Sequence, residues 1–420
     1  MSLLLPFGYA GRSDCIVASE IVAGNADFLE EAVSGLNLTL EADATNPFVY
    51  RIGDKEYGLE ADVTFAVTNN AHNFVYVDNT GALGRSALPC YYTWSAPSSP
   101  ATGQPWFSLG DGKMYEWSGS AWTRVYRVYI GYVRADSSEQ DARYACEPIG
   151  LDPWTRGELF GYAKLGFLDI SSGTTTLNNV NYYAAVVVRG TGNIAHTANV
   201  VNQLNISAQG VIAFLGSATM NLNGLGRSGG AGGTAGGSAG TTGGYGGGGG
   251  GGGGGSTGAG GSGGGRPHVS SNATNTVASG GATGANAGAA GSASAHATTS
   301  HFRSMGSWKT NGSGGGGGGG SGSAGGNGGA GGGGATLAAA CIAHGASTVL
   351  SANGSNGTAG AGSGRGGGGG GAGGVLYFIS RNLFNSGTVT VSGGTGGAAG
   401  GGSSGAGGAG GAGIEVLTQI

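Results

Sequence analysis

Alternating apolar and polar positions mark the first 165 residues as a set of short β-strands. Phe48-Val49-Tyr50-Arg51-Ile52 passes through Gly53-Asp54 into a hairpin partner. Apolar runs at residues 63–67 and 74–77 follow, and Asp78-Asn79-Thr80-Gly81 supplies turn chemistry. Trp106-Phe107-Ser108-Leu109 leads through Gly110-Asp111-Gly112 into Lys113-Met114-Tyr115-Glu116-Trp117. Ser118-Gly119-Ser120 then turns the chain into Trp122-Thr123-Arg124-Val125. Asp-Gly between aromatic strands is a strong hairpin signal. Residues 126–133, rich in β-branched and aromatic side chains, add a further strand. One short helix is predicted over residues 27–33, with Asp27 as N-cap, Glu30 three positions on and Gly35 as terminator.

Residues 166–225 remain strand-like but almost uncharged, with apolar runs at 182–188, 200–206 and 211–215. Beyond them a loose repeat emerges: an apolar strand, a turn, a short alternating strand ending in glycine, and a glycine tract. One copy is Val211-Ile212-Ala213-Phe214-Leu215 with Ala218-Thr219-Met220-Asn221-Leu222-Asn223-Gly224. Another is Val375-Leu376-Tyr377-Phe378-Ile379 with Gly387-Thr388-Val389-Thr390-Val391-Ser392-Gly393. A degenerate copy spans residues 337–343 and 347–354. Repetition of one supersecondary unit predicts stacked rungs.

Composition changes the picture from here on. Of 100 glycines, 77 lie after Leu225, with unbroken runs at 246–255, 314–320 and 366–371. Glycine is the residue that loses most conformational freedom on folding. A flexible linker accounts for Gly/Ser-rich chain in general, but linkers do not carry recurring apolar strands. Collagen needs glycine at every third position and abundant proline, whereas Pro267 alone follows Leu225. The reading that fits is packed polyglycine II, an extended helix of three residues per turn without internal hydrogen bonds. Every backbone N–H and C=O then needs a neighbouring strand as partner. Ordering costs about 1–2 kcal/mol per residue against a net gain of about 0.5–1.5 kcal/mol per hydrogen bond. The tracts therefore need the apolar strands as anchors. In Gly229-Gly230-Ala231-Gly232-Gly233-Thr234 the third residues fall on one face.

Charge and cysteine exclude several functions. The formal net charge is -4, yet after Asp169 the only carboxylate is Glu415. Glycoside hydrolysis needs two carboxylates across the scissile bond, so a depolymerase in this half would have to borrow carboxylates from the N-terminal part or another subunit, and a Ser–His–Asp arrangement meets the same shortage. The basic residues of this half are too sparse for a nucleic-acid patch. The glycine tracts lack the GxxxxGK[ST] phosphate-binding pattern. Cys15, Cys90, Cys146 and Cys341 are widely spaced and read as free or buried thiols, with no metal site and no cofactor expected. No signal peptide and no apolar run of membrane-spanning length is predicted.

Two features resemble the receptor-binding tail fibre proteins, or tail-tip adhesins, of tailed bacteriophages. One is the segment from Thr102 to Trp122 together with Phe74-Val75-Tyr76-Val77-Asp78, similar to a β module near fibre attachment regions. The other is the glycine architecture, which resembles adhesins whose packed polyglycine helices display recognition loops. The resemblance implies a mostly β protein in the virion, assembled in the host cytoplasm. It also implies a homotrimer, attachment to baseplate or tail-tip proteins, and binding to a bacterial surface protein or glycan. The expected organisation is a β-rich attachment region (1–165), a β-rich shaft or shoulder (166–225) and a glycine-rich receptor-binding domain (226–420) of short strands and packed polyglycine II. The competing classes are a tailspike-type glycan depolymerase and a secreted or structural adhesin.

If the glycine core is a rigid display platform, recognition falls to the bulky residues that interrupt it. Tyr245 stands alone amid glycine, and the longest insertion, 266–311, carries Arg266, His268, His301, Phe302, Arg303, Trp308, Lys309 and Asn311. Aromatic residues and arginine are favoured binding anchors. The same residues have a plainer use, with Phe302 and Trp308 filling local core and the histidines on the surface. His296 and His301 lack nearby carboxylates and make a poor metal signature.

Overall fold

The computed structural model describes residues 20–23, 36–136, 139–144, 159–161, 163–198, 204–233, 318, 324–402 and 404–419. The architecture is mostly β, with no helix among these residues. The helix expected at 27–33 lies outside them.

The first part is antiparallel except where Tyr91–Thr93 pairs Pro105–Ser108 in parallel. Strands β1 (Glu20–Ala23), β2 (Asn37–Leu40), β3 (Phe48–Ile52), β4 (Lys55–Leu59) and β5 (Val63–Ala66) form two small sheets, β1-β3-β4 and β2-β5. Strands β6 (Ala71–Asp78), β7 (Leu83–Ser86), β8 (Tyr91–Thr93), β9 (Pro105–Ser108), β10 (Lys113–Trp117), β11 (Trp122–Val125), β12 (Arg127–Asp136) and β13 (Glu139–Tyr144) form two four-stranded sheets. The Asp111-Gly112 and Ser118–Ala121 turns close antiparallel hairpins, as their chemistry dictates. Asp78 accepts the amide hydrogens of Thr80 and Ala82 through Oδ1 and so fixes the β6–β7 turn.

From Phe167 onward all strand pairing is parallel. Strands β14 (Phe167–Ile170), β15 (Thr174–Thr176), β16 (Val180–Tyr183), β17 (Ala185–Val188), β18 (Asn193–Ala195), β19 (Leu204–Phe214), β20 (Thr219–Asn221), β21 (Ala335–His344), β22 (Val349–Ser351), β23 (Val375–Asn385), β24 (Thr388–Thr390) and β25 (Ile414–Gln419) build two sheets. The larger runs β14-β17-β19-β21-β23-β25 with β16 also on β19; the smaller runs β15-β18-β20-β22-β24. Each circuit of the chain adds a long strand to one sheet and a short strand to the other. Tight turns join them, with Ala218 N–H on Leu215 O and Thr348 N–H on Gly345 O.

Two apolar runs in the sequence divide differently in three dimensions. Residues 204–214 form one strand through Gly210, because β16 pairs its first half and β17 its second. Residues 182–188 split at Ala184, whose N–H bonds Gly166 O instead of the ladder.

The core explains the residue choice. Ile194, Ile212, Phe214, Met220, Leu350 and Phe378 fill the space between the two parallel sheets. The opposite face of the larger sheet packs Val187, Val211 and Cys341 against Phe107, Tyr129 and Tyr132 of the antiparallel part. A sheet covered on both faces demands continuous apolar strands. β21, Ala-Thr-Leu-Ala-Ala-Ala-Cys-Ile-Ala-His, is buried at every position and mostly small. Gln209 crosses the same interface: it accepts from Tyr92 N–H at 3.0 Å and donates to Tyr92 O at 2.7 Å.

The glycine stretches between β22 and β23, and between β24 and β25, are each two antiparallel tracts joined by a reversal. The tracts are residues 352–362 and 365–374, then 391–402 and 404–413. Residues 226–233 and 324–334 supply a further pair. Hydrogen bonding between tracts has a period of three. Gly367, Gly370 and Gly373 donate to Gly405, Gly408 and Gly411, while Gly368, Gly371 and Gly374 donate to Thr358, Ser355 and Ala352. The same tract accepts at Gly366, Gly369 and Ala372 from Gly326, Gly329 and Gly332. Residues 366–374, surrounded by neighbours, are all buried and contain one non-glycine, Ala372. At the edge, the exposed third positions of 391–402 are Ser392, Thr395 and Ala398.

Candidate recognition tip

The tracts leave the strands and return, so their reversals gather at the end remote from both parallel sheets. Ala361-Gly362-Ser363-Gly364-Arg365 forms one reversal, and residues 399–402 lead into the next. Gly364 N–H bonds Gly401 O at 2.9 Å, which stacks the two. Gly362 and Gly364 have φ of 107° and 78°, so the first reversal needs glycine at both positions. Ser404 Oγ donates to Gly401 O at 2.6 Å and secures the second. The Arg365 guanidinium folds back over Gly362, where an added Cβ would meet Nη1 and lie 3.2 Å from Cζ.

The connection that contains the insertion is flanked by Gly233 and Gly318, both bonded within this array. Gly233 N–H bonds Gly318 O at 2.7 Å, and Gly318 N–H bonds Gly326 O at 2.7 Å. Gly326 N–H in turn bonds Gly366 O at 2.9 Å, next to Arg365 of the first reversal. The chain between Gly233 and Gly318 thus departs from and returns to the tip end. Tyr245, Arg266, His268, His301, Phe302, Arg303, Trp308, Lys309 and Asn311 all lie in this connection, outside the described residues. Sequence reading passed over Ser363, Arg365 and Ser404. Their signal was a break in glycine composition halfway between two apolar strands.

Titratable groups elsewhere serve the fold. Asp169 takes a two-point contact from Arg189 at 2.9 and 2.9 Å and a third from His72 Nε2 at 3.1 Å. Burial alone would raise its pKa, but Arg189 and His72 hold it below the ordinary carboxylate range. Tyr132 O–H bonds His72 Nδ1 at 2.8 Å. This Asp–His–Tyr series has the order of a proton relay, but Tyr132 is fully buried and cannot meet a substrate. Its effect is to tie β14 to β6.

Asp169 and Glu415 lie on the outermost strands of the larger sheet. Five strand spacings of about 4.8 Å separate them by roughly 24 Å, against the ~5–9.5 Å that glycosidase carboxylates require. His196 and His344 are buried, and burial pushes both pKa values down. Each Nδ1–H donates to a carbonyl oxygen, of Thr197 at 2.7 Å and Asn385 at 2.8 Å, which leaves each Nε2 an unpartnered acceptor. No group of three potential metal ligands occurs among the described residues. No described helix is long and apolar enough to cross a membrane.

No family model, curated protein or solved structure matches this chain.

Proposed function

We propose that this chain is a receptor-binding tail fibre protein of a tailed bacteriophage. In this reading the first, mainly antiparallel part joins it to baseplate or tail-tip proteins, and the glycine lattice presents the tip to a bacterial surface protein or glycan. The tracts are polyglycine II: the three-residue period of hydrogen bonds from tract to tract supports that description. At ~3.1 Å per residue, the nine residues 366–374 set the tip about 28 Å beyond the strands. A homotrimer would bring three tips together and multiply weak contacts.

The observation that carries the reading is the convergence of the reversals with Gly233 and Gly318, which flank the connection holding the insertion. A lattice held by backbone hydrogen bonds is rigid without depending on its exposed side chains. Tip sequences can then change while their support stays fixed. The wide separation of Asp169 and Glu415 weighs against a depolymerase.

The test is adsorption. Purified full-length chain should bind susceptible bacteria and block adsorption of virions that carry it. Absence of competition at saturating protein would sink the adhesin reading. Release of reducing ends from surface polysaccharide would favour the depolymerase instead.

A further inference from the structure

Asparagine followed by glycine occurs five times in the sequence, at Asn223, Asn311, Asn327, Asn353 and Asn356. Asn311 lies outside the described residues. The other four share one use. In three of them the asparagine Oδ1 accepts the N–H, and the following glycine N–H donates to the C=O, of a single residue on the adjoining tract. Asn223-Gly224 holds Asn353 in this way, at 2.7 and 2.9 Å. Asn353-Gly354 holds Ser392 at 2.7 and 2.9 Å, and Asn356-Gly357 holds Thr395 at 2.8 and 2.8 Å. Asn327-Gly328 divides the two bonds between Gly232 at 2.9 Å and Gly230 at 2.8 Å. Each pair is a clip that satisfies a backbone N–H on the adjoining tract, at Ser392 and Thr395 an N–H of an exposed third position.

Asparagine is a thermolabile residue, and asparagine before glycine is its most reactive setting. The unhindered glycine nitrogen attacks the side-chain Cγ, the C–N bond to the amide nitrogen breaks, and ammonia leaves with the glycine amide proton. Water then opens the succinimide at either carbonyl to give aspartate or isoaspartate. The clip opposes this at both reacting groups. The glycine N–H is committed to a neighbouring carbonyl, and the asparagine Oδ1 is committed to a neighbouring N–H, so neither can rotate toward the other while the tracts are packed.

We infer that Asn223, Asn353 and Asn356 are conditional modification sites, closed in the packed lattice and open to deamidation once a tract pair separates. The conversion makes separation irreversible. Isoaspartate routes the main chain through the side chain and adds one atom to it, which moves every later residue off the three-residue period. The lattice has no slack to absorb this: a single added Cβ at Gly354 or Gly357 would already lie closer than 3.0 Å to backbone of residues 368–372. Loss of the tip then follows from a local opening that a reversible scaffold would survive.

Full-length protein is incubated in mildly alkaline buffer, native and in guanidinium chloride, and deamidation is read site by site by peptide mapping. Amide exchange at Ser392 and Thr395 is followed in parallel. Native rates at Asn223, Asn353 and Asn356 should be at least about tenfold below the unfolded rates, because a closed lattice must first open. Small additions of denaturant should raise deamidation at Asn353 and Asn356 in step with exchange at the amides they clip. Native rates within about twofold of the unfolded rates would overturn the inference. So would deamidation that outruns exchange at Ser392 or Thr395.

Discussion

Gly371→Ala tests the lattice where it is most crowded. Gly371 N–H donates to Ser355 O at 2.9 Å, and its carbonyl accepts from Gly394 N–H at 2.8 Å. A methyl group there would press into the carbonyl of Ala330 and lie 2.9 Å from Gly329 O. Those neighbours are backbone, not the movable end of a side chain, so whole tracts must part. Loss of two lattice bonds costs about 1–3 kcal/mol, and overpacking adds about 1–3 kcal/mol. Against this, the substitution stiffens the unfolded chain and would stabilise a site with room for it by about 0.4–1 kcal/mol. The net is a loss of roughly 1–5 kcal/mol, and its sign separates the two cases.

Urea denaturation of the full chain is the assay, with Ala398→Ser as control. Ala398 occupies an exposed third position, and surface changes of this kind stay within about 0.5 kcal/mol. A Gly371→Ala protein as stable as its parent, or more so, would refute close packing at this tract. A result in which both variants lose equal stability would refute the distinction between third positions and the rest.

Two further outcomes follow from buried groups. His196 and His344 have pKa values held below 6.5 by burial, so the unfolded chain binds protons first as the pH drops. Their contribution to stability is intact above 6.5 and declines as pH falls through 6.5 toward the folded values. Thermal midpoints measured between about pH 7 and pH 5 should fall, and His344→Gln should shallow that slope; an unchanged slope would exclude His344 as a contributor. Cys90 and Cys341 are buried cysteines. Site-resolved alkylation of native protein should spare both and label both after denaturation, and native labelling of Cys341 would contradict the packing of β21 between two apolar layers.

Much of the strand pattern was legible because side-chain alternation and turn chemistry act locally. The Asp111-Gly112 hairpin needs only residues 105–117 to specify it. The three repeat copies around Val211, Leu337 and Val375 likewise fall on β19, β21 and β23. The repeat predicted that these copies stack, but not the parallel register, since β19 pairs with β21 across an interval of more than a hundred residues. The reversals were hidden for a different reason. A glycine tract looks alike whether it runs straight or turns back, and only Ser363, Arg365 and Ser404 mark the bends. The clips were hidden in plain view: asparagine before glycine reads as a turn signal, whereas here it spans extended backbone to a neighbouring tract. Of the residues proposed from sequence for recognition, all lie between Gly233 and Gly318, outside the described residues; what the fold adds is the place where that connection is rooted.

Depth in the lattice accounts for the two kinds of glycine sequence. A tract with neighbours on every side has no free third position, and residues 366–374 are correspondingly glycine except at Ala372. An edge tract keeps one open side, and there the pattern relaxes to Gly-Gly-X, with Ser392, Thr395 and Ala398 facing out. Unbroken glycine is therefore a mark of interior position and the three-residue pattern a mark of surface. The surfaces of such a lattice accept small side chains without loss of hydrogen bonding, but its interior accepts almost none. Substitution is therefore tolerated at the edges and the tip, the parts that the proposed reading would use for recognition.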